Sequence, residues 1–181
     1  MSEMFDVLDE NGKPTGKTKD RVLIHRDGDW HKAVHVWIVN DDGEILLQRR
    51  SPNKDSNPNM LDISIAGHIT AGSDSLTTAT QEIKEALGLD VKSDNLQFIE
   101  TIKKSSKYTS DFINNEFDDM YIMRTNAKVF DMTLQKEEVT EVFFVPFDKF
   151  VEMVESHQPD LLRHEEEFGI LFELFNNKEE R

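Results

Sequence analysis

Cysteine is absent from the 181 residues, which removes disulfides, thiolate nucleophiles, zinc–thiolate sites and iron–sulfur clusters together. A reducing compartment fits that absence. Cations are scarce beside anions: 21 Lys and Arg stand against 36 Asp and Glu, a formal charge of −15. Sequence-independent binding of nucleic acid draws its affinity from Lys and Arg laid along phosphates, so this balance argues against it. A small or metal-complexed anion is still compatible, because a site can be basic locally inside an acidic protein. No apolar run approaches the roughly 18 residues that span a bilayer, and the opening MSEMFDVLDENGK lacks a basic-then-apolar targeting layout. The expectation is a cytoplasmic protein with no membrane or nucleic-acid partner. No repeat, heptad run or linker is evident, and the length suits one domain at a prior of about 150 residues each.

What is present alternates between strand and helix patterns. Met4 to Leu8, followed by the turn residues Glu10 to Pro14, predicts an N-terminal hairpin within 1–30. Ala33 to Val39 is rich in β-branched and aromatic residues, and the turn Asn40-Asp41-Asp42-Gly43 leads to a paired strand, Glu44 to Gln48. Two prolines and three asparagines make Ser51 to Asn59 a loop, and Leu61 to Ile65 is a short strand. Ser73, Asp74 and Ser75 offer N-caps to a helix on which Leu76, Ala79, Ile83 and Leu87 share a face, ended by Gly88. Further strands are expected at Leu96 to Ile102, Met120 to Met123 and Val142 to Val145, with a mobile loop or long hairpin from Lys103 to Asp119. Helices at Phe147 to Ser156 and about Leu161 to Phe175 close the chain, the last burying Phe168, Leu171, Phe172 and Phe175. This order reads as α+β, helices packed on a sheet, with a core in 31–146 and C-terminal helices in 147–176.

On the central helix Glu82 and Glu85 lie about 60° apart, beside the apolar stripe. Such an edge can hold oxygen ligands for Mg²⁺ or Mn²⁺; taken alone, the helix is more simply explained by a solvated face. The segment Gly67 to Leu89, GHITAGSDSLTTATQEIKEALGL, resembles the Nudix box, G-x5-E-x7-R-E-U-x-E-E-x-G-U with U aliphatic. Gly67, Glu82, Ile83, Glu85, Gly88 and Leu89 fall in register. Ser73, Gln81 and Ala86 depart from it, and Ala86 stands where the family usually places a metal ligand. Asp74 is a one-residue-shifted substitute for the missing first Glu. The resemblance implies a mixed sheet sandwiched between helices, a divalent metal, and hydrolysis of a diphosphate bond in a nucleoside-diphosphate-linked or other organic diphosphate.

RRSPNKDSNPNMLDISIAGH, Arg49 to His68, is similar to type I isopentenyl-diphosphate isomerases, a branch of the same superfamily. That resemblance implies diphosphate contacts from Arg50 and Lys54, and metal ligands from Gly67, His68 and Glu116 beside Glu82 and Glu85. It also draws attention to His25, His31 and Asp118, which are equally compatible with structural roles. His35, in an alternating strand, reads as a hydrogen-bonded structural residue. Ala66 stands where the isomerases carry their catalytic cysteine, so half of the acid–base pair is missing. Glu138, ahead of the late strand, is similarly placed to a family acid that aids catalysis beside Glu82. The run His164 to Glu167 reads as a solvated helix face, and Trp30 and Trp37 as core or rim. Three functions are thus carried forward: a hydrolase, a binding or regulatory module without turnover, and an isomerase-like enzyme. The group attached to the diphosphate and the oligomeric state, a homodimer included, are left open.

Overall fold

The computed structural model describes residues 2–179. Strands β1 (Met4–Leu8) and β2 (Pro14–Asp20) form the N-terminal hairpin, and a short helix α1 (Arg21–Asp27), capped by the Asp20 carboxylate, follows it. Sequence reading missed that helix; at seven residues it is too short for a periodic apolar stripe. Then come β3 (Trp30–Asn40), β4 (Ile45–Arg50), β5 (Leu61–Asp62), β6 (Ile65–His68) and α2 (Ser75–Leu87). The remainder is β7 (Leu96–Thr109), β8 (Phe112–Thr125), β9 (Val139–Val145), α3 (Phe147–Glu155) and α4 (Glu165–Glu179). Among the described residues the strands form one nine-stranded mixed sheet. Among the described residues no helix is long and apolar enough to cross a membrane.

β3 is the axis of the sheet. It pairs in parallel with β8 from Trp30 opposite Asn115 to Asn40 opposite Thr125. Alternation along β3 sends Val34, Val36 and Ile38 into one apolar layer, shared with Ala79, Ile83, Ala86 and Leu87 of α2. Trp37 and Val39 enter a second layer with Phe150 of α3 and Phe168 and Leu171 of α4. The sheet therefore lies between helices, as the α+β reading expects. A fully buried side chain of this kind contributes about 1.5–3 kcal/mol, so these two layers hold the fold.

β3 and β4 stay paired only where Val39 meets Ile45. Beyond that point they part: β6 takes the place beside β3, and β5 and β9 pair with β4. Ser64, fully buried between β5 and β6, stitches the divergence. The Ile38 N–H donates to its hydroxyl over 2.8 Å, and the hydroxyl donates to the Leu46 carbonyl over 2.5 Å. One side chain thus supplies the partners that a continuous ladder would have given. The expected single strand from Leu61 to Ile65 is split at this residue, because its two halves belong to different sides of the gap.

The segment from Lys103 to Asp119 is a long hairpin, not a mobile loop: β7 and β8 pair from Leu96 opposite Met123 out to Thr109 opposite Phe112. α4 begins at Glu165 rather than near Leu161, because Leu161 bridges to Leu61 and the Leu162 N–H donates to the Leu61 carbonyl over 2.9 Å. The solvated-face reading of His164 to Glu167 is corrected in half. Glu165 and Glu166 are exposed, but Glu167 is buried, its carboxylate 2.6 Å from His35 Nδ1 and accepting from Trp37 Nε1 over 2.7 Å. His35 is hydrogen-bonded, as expected of it. Trp37 is core, and Trp30 packs on Phe117 under the Lys103 ammonium.

Ser64→Ala is expected to leave a buried N–H and a buried C=O without partners, costing about 2 kcal/mol or more. Urea unfolding monitored by circular dichroism checks this; a midpoint equal to wild type would contradict the stitching role.

Candidate active site

A cleft of about 360 Å³ opens where β3 and β4 part. One lip carries Gln48, Arg50 and Asp62, the other Ala66, Gly67 and His68, and α2 contributes Glu82, Glu85 and Ala86. Neither tryptophan lines it.

α2 is fixed at both ends. Asp74 caps it, accepting from the Thr77 N–H over 2.8 Å and the Thr77 hydroxyl over 2.7 Å, and Gly88 closes it in the left-handed region at φ 70°. Asp74 is therefore spent as a cap and does not reach the cleft, which removes it as a substitute for the first Glu of the box. Ala86 is buried in the apolar layer while its edge faces the cleft. Glu82 lies against Gly67: a Cβ there would sit 2.3 Å from the Glu82 carboxyl carbon and 2.6 Å from Oε1. Only glycine leaves room for this carboxylate between helix and strand. Burial pushes the Glu82 carboxyl up to about 7; Glu85, Glu3 and Glu138 add to the rise, and Lys54 opposes it.

Arg50 and Lys54 both reach the cleft, yet both are engaged. Arg50 donates to Asp62 over 2.9 Å, to the Ser56 carbonyl over 2.9 Å and to the Asn57 carbonyl over 3.1 Å. Its guanidinium organises the 51–60 loop. Lys54 makes an ion pair with Glu138, and the Ser51 N–H donates to the Glu138 carbonyl over 2.9 Å, which joins that loop to the start of β9. Burial alone would raise the Asp62 carboxyl, but His164, Arg50 and the Ile63 N–H hold it well below the usual range.

At the other end of the cleft the structure brings together His25, His31, His68 and Glu116. One ligand atom from each of the three imidazoles lies within 4.8 Å of the others. Glu116 Oε1 is 2.9 Å from His68 Nε2 and 3.5 Å from His31 Nε2, although neither nitrogen meets it in hydrogen-bond geometry. His31 Nδ1 lies 3.1 Å from the Asp29 carbonyl and His25 Nδ1 2.8 Å from that of Arg21. For His31 the N–H is thereby directed to Nδ1, which leaves a bare Nε2 lone pair, the form in which imidazole binds metal, whereas His25 has an oxygen acceptor beside each ring nitrogen. His25 Nε2 also lies 3.0 Å from Asn114 Oδ1. The buried nitrogens and carboxylate form a donor set that a divalent cation fits. Burial lowers the pKa of His25, favouring its neutral form. Burial would raise that of Glu116, but His31 and His68 hold it well below the usual range.

Asp118, two residues on, is fully buried, and among the described residues neither carboxylate oxygen has a hydrogen-bond partner. Burial pushes it up to about 7, with His35 opposing and Glu116 and Glu167 adding to the rise. His35 responds in the opposite sense: burial would lower it, but Asp118 and Glu167 carry it to about 10. Sequence reasoning missed Asp62, Lys104 and His164 as cleft residues. No motif marks them; the Leu61–Leu161 bridge and the long hairpin bring them in.

The model of the NUDIX domain matches residues 29–164 of the chain. Nudix hydrolase 3 of Arabidopsis thaliana is 41% identical over 97% of this chain, which spans only 24% of that protein's length. An uncharacterized Nudix hydrolase of Clostridium acetobutylicum is 34% identical over 85% of this chain and 75% of its own. An isopentenyl-diphosphate Delta-isomerase of Serratia proteamaculans is 27% identical over 67% of this chain and 66% of its own. Among solved structures, a Deinococcus radiodurans protein superposes with a TM-score of 0.65 at 20% identity, over 85% of this chain and 90% of that one. The NUDIX domain of Shewanella oneidensis NrtR, solved with ADP ribose, gives 0.52 at 13% identity, over 67% and 75%; at such identities the likeness is one of fold. By the match to its domain model and the identity of its relatives, this chain is a member of the Nudix superfamily.

Proposed function

We propose that the cleft hydrolyses a diphosphate bond in a small organic diphosphate, a nucleoside-diphosphate-linked compound being the reference case, with Mg²⁺ or Mn²⁺ as cofactor. The observation that carries this reading is the crowding of Glu82 with Glu85 and Glu138 in one cleft, a carboxylate cluster that a divalent cation would relieve. Glu82 and Glu85 would hold the ion beside the Gly67 backbone, and His68 and Glu116, with His25 and His31, supply a second donor set. When bound, such an ion neutralises phosphate charge and acidifies water.

The chain's own residues do the rest. Glu82, on the cleft edge of α2, is the residue placed to accept a proton from the attacking water. Glu138 is paired with Lys54, so its part is to position that ammonium beside the acidic edge. Lys54 and Arg50 reduce the repulsion that a phosphate would meet in this acidic protein. Isomerisation is disfavoured, because Ala66 lines the cleft where a proton donor is required. Binding without turnover is the second reading, favoured by one observation: Ala86 belongs to the apolar layer and adds no ligand.

Incubation with Mg²⁺ or Mn²⁺ and a panel of nucleoside diphosphate derivatives and isopentenyl diphosphate, with detection of phosphate and monophosphate, separates these readings. Glu82→Gln is expected to lower metal-dependent release by about 10²-fold or more; an unchanged rate removes Glu82 from the chemistry, and binding without product favours the module. Gly67→Ala is expected to displace the Glu82 carboxylate and weaken Mn²⁺ binding, read by calorimetry, while the melting temperature changes little. Normal Mn²⁺ affinity in that variant would contradict the packing argument.

A further inference from the structure

Four long cations line the cleft: Arg21, Arg50, Lys54 and Lys104. Three are committed to carboxylates. Arg21 lies 3.2 Å from Glu3 and 3.9 Å from Asp55, Arg50 lies 2.9 Å from Asp62, and Lys54 pairs with Glu138. Lys104 is different. Its Nζ approaches His164 Nδ1 at 3.1 Å and the Arg163 carbonyl at 3.5 Å, and among the described residues it forms no ion pair within 4.0 Å.

The imidazole beside it is set in one orientation. His164 Nε2 lies 2.8 Å from Asp62 Oδ1, and Asp62 is an acceptor, so the ring proton sits on Nε2 and Nδ1 is left to accept from the ammonium. Asp62 is itself fixed by Arg50 and by the Ile63 N–H at 2.8 Å. The Leu61–Leu161 bridge places the His164 backbone next to β5. Two of the three Lys104 donors are thus directed at protein acceptors, and one is left over on a half-buried residue of the cleft wall. Buried Asp118 feels the Lys104 charge without forming an ion pair with it, and a half-buried ammonium with no carboxylate in contact is a receptor for an anion.

We propose that Lys104, oriented by His164 and Asp62, is an anion subsite of the cleft that takes a phosphate oxygen of the substrate. This rests on the reading of the substrate as an organic diphosphate, and it moves the main phosphate contact from Arg50 and Lys54, whose charges are already paired with Asp62 and Glu138, to the wall formed by β7 and the start of α4. Lys104 and His164 are therefore the residues that set how far from the Glu82 edge a bound phosphate can lie. His164 is a positioning residue, acting through the ammonium.

The test uses the full chain and inorganic pyrophosphate, titrated by calorimetry in the presence of EDTA so that the ammonium is probed without metal. Lys104→Met is expected to weaken pyrophosphate binding by about tenfold or more, the effect of losing one charge-assisted hydrogen bond. Lys104→Arg keeps binding within about threefold, and His164→Phe, which removes both hydrogen bonds but keeps a ring, falls between. The melting temperature of Lys104→Met is expected to stay at or above that of wild type, since no ion pair is lost; Lys104→Gln serves if the methionine variant does not fold. Equal affinity in wild type and Lys104→Met, or no saturable binding by wild type, overturns the subsite. Pyrophosphate bound through Lys104 by a protein that cleaves none of the diphosphate panel would overturn the hydrolase reading and leave the subsite standing. Turnover by wild type with unchanged pyrophosphate affinity in Lys104→Met would do the reverse.

Discussion

The parting of β3 and β4 is the constraint on which the site depends. Two strands paired at Val39 and Ile45 alone would leave backbone donors and acceptors open over the rest of their length. β5, β6 and β9 take up those groups, and the Ser64 hydroxyl closes the seam between Ile38 and Leu46. The gap thus costs little hydrogen bonding, and it opens a cleft in the middle of a sheet whose two apolar layers are otherwise complete. Gly67 stands on one lip because Glu82 must enter there, and Arg50 on the other because it ties the loop that follows.

Charge is distributed unevenly through this frame. Carboxylates crowd the α2 edge, imidazoles and Glu116 gather at the start of β3, and between them runs a largely buried chain of polar contacts through Arg50, Asp62, His164, Glu167, His35 and Asp118. Ion pairs buried this deeply are weak contributors to stability compared with well-packed apolar side chains, because desolvation offsets most of their attraction. Their consequence is geometric. Glu167 and His164 join the beginning of α4 to residues of β3 and β5, so the C-terminal helix and the floor of the cleft are set together.

Much of the frame was legible in the sequence, and the reasons are physical. The alternation of Ala33 to Val39, the turn at Asn40 to Gly43 and the cap–stripe–glycine pattern from Asp74 to Gly88 are local signals, and local interactions realise them. The Nudix box marked Glu82 and Glu85, which face the cleft. What could not be read depends on distant pairing. His164 reads as part of an acidic surface run, yet the bridge between Leu61 and Leu161 turns it inward. Lys104 lies in polar text that gave no reason to prefer a long strand over a loop, and Asp62 carries no motif. Arg50 and Lys54 were legible as cleft cations, but the ties of Arg50 to Ser56 and Asp62 and the pairing of Lys54 with the distant Glu138 were not.

The departures from the box gain a structural meaning. Asp74 caps the helix and Ala86 completes its apolar face, so α2 keeps its place while offering fewer carboxylates. The imidazole cluster at the opposite end adds donors that the helix lacks. The central claim, that two sets of ligands in one cleft hold divalent ions, is tested most directly by anomalous diffraction from crystals soaked in Mn²⁺ with pyrophosphate. The account predicts anomalous peaks beside Glu82 and Glu85 and among His25, His31, His68 and Glu116. A well-ordered cleft with no peak at either place would contradict it.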